Sequence, residues 1–122
     1  MDNMAINLNR LVNLLISELG LLPDQAKIFI FVLRNGKSTI SQICTELKIE
    51  ETMVVSTLNN LVDNGMLLGL DNRAFMTFHP RFAVVNCHRK RCERLGISYG
   101  KNAKIDAIGA MLESYYESAR PK

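Results

Sequence analysis

The chain has 122 residues, of which 48% are hydrophobic, and its formal net charge of +3 divides unevenly, with −2 on residues 1–70 and +5 on residues 71–122. This length and composition fit one folded domain with a real core and exclude a disordered tail or a low-complexity chain, while the basic half suits an anionic partner. Three cysteines, Cys44, Cys87 and Cys92, cannot all pair within one chain, which argues against a secreted disulfide scaffold.

The N-terminal segment predicts a helix from about Met4 to Leu19. Its apolar stripe consists of Leu8, Leu11, Leu15 and Leu19. Polar residues interrupt the segment, Asn9 and Arg10 among them, so it fits neither a membrane-spanning helix nor a signal peptide. We therefore expect a cytoplasmic protein with no membrane partner.

The middle of the chain predicts three further helices. Pro23 is expected in the first turn of the second helix, and Thr39 with Gln42 forms a capping box that begins the third. The fourth helix is expected from about Glu51 to Asn64. Because only a short turn separates the third helix from the fourth, the two predict a helix-turn-helix.

Beyond Gly65 the period changes to that of strands. Two short apolar runs, 66–70 and 75–78, flank a polar turn at 71–73 and predict a β-hairpin. A fifth helix over 81–95 and a last helix after residue 102 complete the chain. The predicted fold is mostly α with a small β-hairpin, a winged helix-turn-helix with flanking N- and C-terminal helices.

Between Gly20 and Pro80 a series of motifs follows in a fixed order: Gly20-Leu21, Ala26-Lys27-Ile28-Phe29, Leu33 and Gly36, Ser38-Thr39-Ile40-Ser41-Gln42-Ile43, Ile49, Val54, Leu58 and Leu61, Gly65-Met66-Leu67, and Phe78-His79-Pro80. In this order they resemble the winged-helix domain of the TrmB-like transcriptional regulators. The resemblance implies a dimeric transcription factor that binds double-stranded DNA. Glu50 and Glu51 depart from the family pattern, which usually has basic or proline residues at the start of the recognition helix.

This resemblance also predicts how one domain over 1–122 is organised. Residues 1–19 would form a dimerisation helix, 20–80 the winged helix-turn-helix, and 81–122 C-terminal helices that also serve dimerisation. Since only 81–122 follow the wing, the effector domain with which larger members sense sugars is not expected, and sugar sensing is not carried over.

The outward side of the fourth helix is the predicted base-reading face. It carries Thr52, Met53, Ser56, Asn59 and Asn60. Asparagine can pair bidentately with adenine, and serine or threonine can bond to either base of a pair. A solvated polar surface remains the alternative, because the helix has no lysine or arginine.

Phosphate contacts are therefore predicted from neighbouring elements. Arg73 lies at the wing tip, and Lys37 and Lys48 precede the third and fourth helices. Ser38 and Thr39 are expected to offer free backbone N–H groups at a helix start, where phosphate binds readily. Any of these cations could equally be an idle surface charge.

The fifth helix carries a basic run, His88-Arg89-Lys90-Arg91 and then Arg94. It could extend a DNA footprint or bind an acidic partner, but a solvated helix end is the favoured interpretation. His88 and Cys92 have the spacing of a metal-ligand pair, and Cys87 or Cys92 could be a redox thiol, although both are weak signals. We predict no cofactor, no metal and no catalytic residue, because the chain lacks a phosphate-binding loop and a nucleophile motif.

Excess apolar surface predicts a homodimer. The first and last helices carry more apolar residues than a winged core can cover. The predicted interface comprises Leu8, Leu11, Leu15, Ile105, Ile108, Leu112 and Tyr115. The rival hypothesis is a winged-helix docking module within a transcription or replication assembly, favoured by Glu50, Glu51 and the uncharged reading face.

Overall fold

A computed structural model describes the backbone of residues 3–119 and the side chains of residues 8–71 and 73–119. The helices are α1 (Asn3–Leu19), α2 (Pro23–Asn35), α3 (Ile40–Leu47), α4 (Glu51–Asp63), α5 (Pro80–Leu95) and α6 (Ala103–Ala119). The strands are β1 (Ser38–Thr39), β2 (Leu67–Leu70) and β3 (Ala74–Thr77), with a 3₁₀ turn at Asp71–Arg73 between the last two. Residues 1, 2 and 120–122 of the predicted domain lie outside the described part.

The predicted mostly α, winged helix-turn-helix fold is confirmed. Helices α3 and α4 form the helix-turn-helix, and the hairpin of β2 and β3 follows α4 directly as the wing. No helix among the described residues is both long and apolar enough to cross a membrane.

Local residues set both ends of α3, and its C-terminal end makes the turn to α4. Thr39 Oγ1 accepts a hydrogen bond from the Gln42 backbone N–H at 3.1 Å, and Gln42 Oε1 accepts one from the Thr39 backbone N–H at 2.8 Å. This is the predicted capping box. Lys48 then ends α3 in the left-handed conformation, with φ of 56°, so the chain can turn before Glu50 leads into α4.

The sheet has one strand more than the sequence predicted. Its order is β1-β3-β2, all antiparallel, and the two residues of β1 pair as Ser38 with Phe75 and Thr39 with Ala74. Two residues are too few to show an alternating pattern in the sequence. The extra strand joins the wing to the start of α3.

Helix α2 lies at the centre of the core. It packs against α1, α3, α4, α6 and β3. Its six buried side chains are Ala26, Ile28, Phe29, Ile30, Val32 and Leu33. Because these residues cover several sides of the helix, α2 fixes the positions of the elements around it.

Helices α1 and α6 also pack against each other and against α2. Five side chains assigned from the sequence to a dimer interface are buried in this packing: Leu11, Leu15, Ile105, Ile108 and Leu112. That assignment is corrected, because the chain covers these five by itself. The sequence reasoning treated α1 and α6 as separate surfaces and missed that each buries the other.

Helix α5 holds the ends of two other helices. Arg91 Nη1 donates a hydrogen bond at 3.0 Å to the carbonyl oxygen of Glu18, in the last turn of α1. At Gly20, where φ is +74°, a Cβ atom would lie 2.9 Å from the same guanidinium. Arg94 Nη1 similarly donates to Asn64 Oδ1, just past α4, at 3.0 Å.

Replacing Arg91 with alanine should lower the free energy of unfolding by about 1–3 kcal/mol, since the Glu18 carbonyl loses a charged donor. Lys90→Ala, at the exposed neighbouring position, is the matched control and should change it by less than about 0.5 kcal/mol. Urea denaturation followed by circular dichroism measures both. Equal effects of the two substitutions would contradict this role for Arg91.

Candidate nucleic-acid interface

The outward side of α4 is free within the chain. Val54, Leu58 and Leu61 are fully buried on the inner side of the helix. All five residues of the predicted reading face are exposed: Thr52, Met53, Ser56, Asn59 and Asn60. The helix therefore presents a polar surface that no other element of the described chain covers.

The reading face runs from Thr52 to Asn60 along α4, a distance of about 12 Å at 1.5 Å per residue. Thr52 and Met53 lie in its first turn. Asn60 lies near its end, where it lines a polar cleft with Gln25 and Arg94. The two ends of the reading face therefore have different surroundings, and only the first-turn end approaches the wing tip.

Three of the five predicted phosphate residues carry exposed cations. Lys37, Lys48 and Arg73 all lie at the surface. Arg73 stands in the turn between the wing strands with φ of 59°, the left-handed region that a non-glycine residue rarely adopts. Its backbone conformation is thus set by the wing turn itself.

The other two predicted phosphate residues are engaged elsewhere, which corrects the expectation of free N–H groups. The Ser38 side chain is only 1% exposed, and its hydroxyl donates to the carbonyl oxygen of Gly36 at 3.0 Å. The backbone N–H of Thr39 is occupied by Gln42. The capping box therefore occupies the backbone N–H groups of Thr39 and Gln42.

Hydroxyl side chains on the outer side of α3 were missed by the sequence reasoning. Ser41 and Thr45 both line two clefts, one on each side of α3. Lys37 lies in the larger cleft, of about 520 Å³, and Arg73 in the smaller, of about 370 Å³. The signal was available, since residues four apart share one helix face.

Two acidic side chains stand at the start of α4, and one of them pairs with Arg73. Glu51 Oε2 lies 3.2 Å from Arg73 Nη2, in an ion pair whose side chains are 65% and 66% exposed. Glu50 accepts a hydrogen bond from the Thr52 hydroxyl. The first turn of the recognition helix is therefore negative, and the nearest wing cation is held by it.

The basic run of α5 divides between structural and exposed side chains. Arg91 and Arg94 bind the ends of α1 and α4 as described, and the Arg89 guanidinium lies 5.2 Å from the centroid of the Tyr99 ring. Lys90 is exposed. Arg91 and Arg94 therefore serve the fold, which the sequence could not indicate because their partners are distant in the chain.

Burial decides the chemistry of one candidate redox thiol. It raises the pKa of Cys87 to about 11, although Arg94 and Arg91 act in the opposite direction. Burial therefore outweighs the two arginines, and Cys87 lacks the lowered thiol pKa that a redox switch needs. Cys92 is also buried, with its Sγ 3.9 Å from both ring nitrogens of His88.

A polar cluster at the start of α5 was not predicted. His79, Glu113 and Glu117 offer potential ligand atoms within 4.8 Å of one another, the one such grouping of three among the described residues. Arg81 donates to Glu113 Oε1 through Nη2 at 3.0 Å and through Nε at 3.2 Å, and His79 Nε2 lies 3.2 Å from Glu113 Oε2. The Arg81 hydrogen bonds hold the pKa of Glu113 below its usual 4.5. The contacts of Arg81 and His79 with Glu113 join the start of α5 to α6.

Two predicted interface residues keep part of their surface. Leu8 and Tyr115 are half-buried, and Tyr115 lines a cleft of about 240 Å³ with Arg10 and Met111, between α1 and α6. Met111 is 40% exposed. A partner chain that contacts these helices would meet these side chains.

Comparison with protein families gives a match over half of the chain. A family described as the sugar-specific transcriptional regulator TrmB matches residues 15–76, from the end of α1 to the second wing strand. Comparison with curated proteins and with solved structures gives no match.

Cys87 should resist alkylation in the folded protein, because at pH 8 a thiol with a pKa of about 11 is almost entirely protonated. Iodoacetamide should modify the partly exposed Cys44 first, as measured by peptide mass spectrometry. Urea-unfolded protein, in which every cysteine is accessible, is the control. Labelling of Cys87 as fast as Cys44 in the folded protein would show that the thiol is not protected.

Proposed function

Since the chain belongs to the TrmB family of sugar-specific transcriptional regulators, we propose that it recognises specific sequences in double-stranded DNA and does so as a homodimer. The family is one of transcriptional regulators with a DNA-binding domain and not of enzymes. We propose no catalytic activity, and we place the regulator in the cytoplasm.

One observation carries this proposal: the reading face is exposed while the opposite side of α4 is fully buried. A helix held in this way, with a wing beside it, can enter the major groove and bring side chains to base edges. Ser56 and Asn59 are the proposed base contacts in its middle turns. Lys37, Lys48 and Arg73 are the proposed phosphate contacts around it.

The proposed dimer would use the outer side of α1 and α6. Leu8, Met111 and Tyr115 supply its apolar contacts, in place of the buried residues of the same helices. A two-fold dimer would present two recognition helices to successive major grooves, about 34 Å apart. Residues 1–122 would then act as one unit, with 20–80 binding DNA and the flanking helices binding the second copy.

A protein-docking module is the second candidate. The acidic first turn of α4, with Glu50 and Glu51, and the absence of lysine and arginine from this helix favour it. A docking surface does not need to attract phosphate. The two candidates therefore differ in how binding to duplex DNA responds to salt.

Binding to a labelled random duplex should weaken steeply as salt rises, since neutralised phosphates release counterions. Arg73→Gln should weaken binding to all sequences alike and reduce the salt slope by about one. Lys90→Gln, the same loss of charge on α5, is the control and should change little. Binding independent of salt would favour the docking module.

On a duplex obtained by selection, Asn59→Ala should change which bases are preferred, at a cost of about 1–3 kcal/mol for the preferred site. Its affinity for random duplex should stay close to that of the unaltered protein. Fluorescence anisotropy with both duplexes measures the difference. An equal loss on both would assign Asn59 to the backbone or to the fold.

Light scattering at micromolar concentration should give about twice the chain mass of 13.8 kDa. Met111→Glu should shift the protein towards the monomer, because burying a carboxylate in an apolar interface costs more free energy than pairing with the nearby Arg10 returns. Leu95→Glu, at an exposed apolar position at the end of α5, is the control and should leave the dimer intact. A monomeric unaltered protein would contradict the proposed dimer.

A further inference from the structure

The ion pair between the wing and the recognition helix joins two parts of the proposed DNA interface. Arg73 lies in the wing turn, and Glu51 is the first residue of α4. Their side chains meet at 3.2 Å although the residues are 22 positions apart in the chain. Both also line the cleft beside α3 that contains Ser41 and Thr45. The pair therefore stands where a wing arginine would otherwise extend towards a phosphate.

A DNA phosphate and the Glu51 carboxylate compete for the same guanidinium. An ion pair with both side chains about two-thirds exposed contributes little stability, so a phosphate can displace the carboxylate. Once displaced, Glu51 remains as a negative charge at the end of α4 that approaches the DNA. Every complex that uses Arg73 on the backbone must then accept this repulsion, whatever the base sequence.

We propose that Glu51 restrains the phosphate-dependent part of DNA binding by competing with DNA phosphate for Arg73. This inference rests on the proposed function. Non-specific affinity comes from phosphate contacts, whereas discrimination comes from base edges read by the remainder of α4. Because specific and non-specific complexes both use phosphate contacts, this restraint lowers the affinity of both by a similar factor, and tight binding then depends on base contacts.

Glu50 provides a matched control within the same turn. It carries the same charge and is also exposed, but its carboxylate accepts from the Thr52 hydroxyl and not from Arg73. The helix dipole also favours a carboxylate at a helix start, and it acts on Glu50 and Glu51 alike. The contact with Arg73 would therefore give Glu51 an effect on DNA binding that Glu50 lacks. The two glutamates differ in that contact.

The test measures binding of random and selected duplexes by Glu51→Gln, Glu50→Gln, Arg73→Gln and the double variant Glu51→Gln with Arg73→Gln. Glu51→Gln should raise affinity for random duplex by about 3- to 10-fold and steepen the salt slope by up to about one. The gain should be similar on the selected duplex, and it should be smaller for Glu50→Gln and when Arg73 is also replaced. An equal gain for Glu50→Gln, or a gain that persists without Arg73, would overturn the inference, because repulsion by any carboxylate would then explain it.

A second readout needs no DNA. The Nε–Hε signal of Arg73 in a nitrogen–proton NMR spectrum should move in Glu51→Gln and stay in place in Glu50→Gln. No movement in Glu51→Gln would overturn the inference even if DNA affinity rose. If no protein in the set binds duplex DNA, the proposed function fails and this inference falls with it, whereas an NMR shift would still identify the ion pair.

Discussion

Burial of α2 among five other elements is the constraint on which the recognition surface depends. Phe29 and its neighbours on α2 form the centre of the core, and α4 packs against this helix through its apolar side. Because Val54, Leu58 and Leu61 are fully covered, α4 cannot rotate without exposing them to water. The polar side of α4 therefore faces outward, and buried side chains determine where the reading face lies.

Electrostatics gives the described surface an unusual character for a DNA-binding domain. The C-terminal half carries most of the positive charge, but Arg91 and Arg94 are used within the fold and Arg81 is paired with Glu113. Around the helix-turn-helix, Arg73 pairs with Glu51, and Lys37 shares a cleft with Glu46. Weak general attraction makes base contacts and a second copy of the chain more important for tight binding.

The sequence predicted what local chemistry determines. Helix limits agreed within one or two residues where caps and glycines define them, and the Thr39 capping box is confirmed. The exposed reading face followed from the 3.6-residue period of α4.

Long-range contacts were beyond the sequence. Arg91 meets Glu18 across 73 residues, and the packing of α6 against α1 brings together the two ends of the described chain. The sequence reasoning therefore counted buried leucines and isoleucines as surface. Arg73 was identified as a wing cation, but its pairing with Glu51 needed the relative position of the wing and α4, which a periodic pattern does not contain.

The two-residue strand β1 has a mechanical consequence. Thr39 pairs with Ala74 of the wing and, through its hydroxyl, caps α3. A displacement of the wing therefore pulls directly on the first turn of the helix-turn-helix. The wing, β1 and α3 should therefore move as one rigid body. Docking of the wing on a duplex would then orient α4 without a separate ordering step and with little loss of conformational entropy.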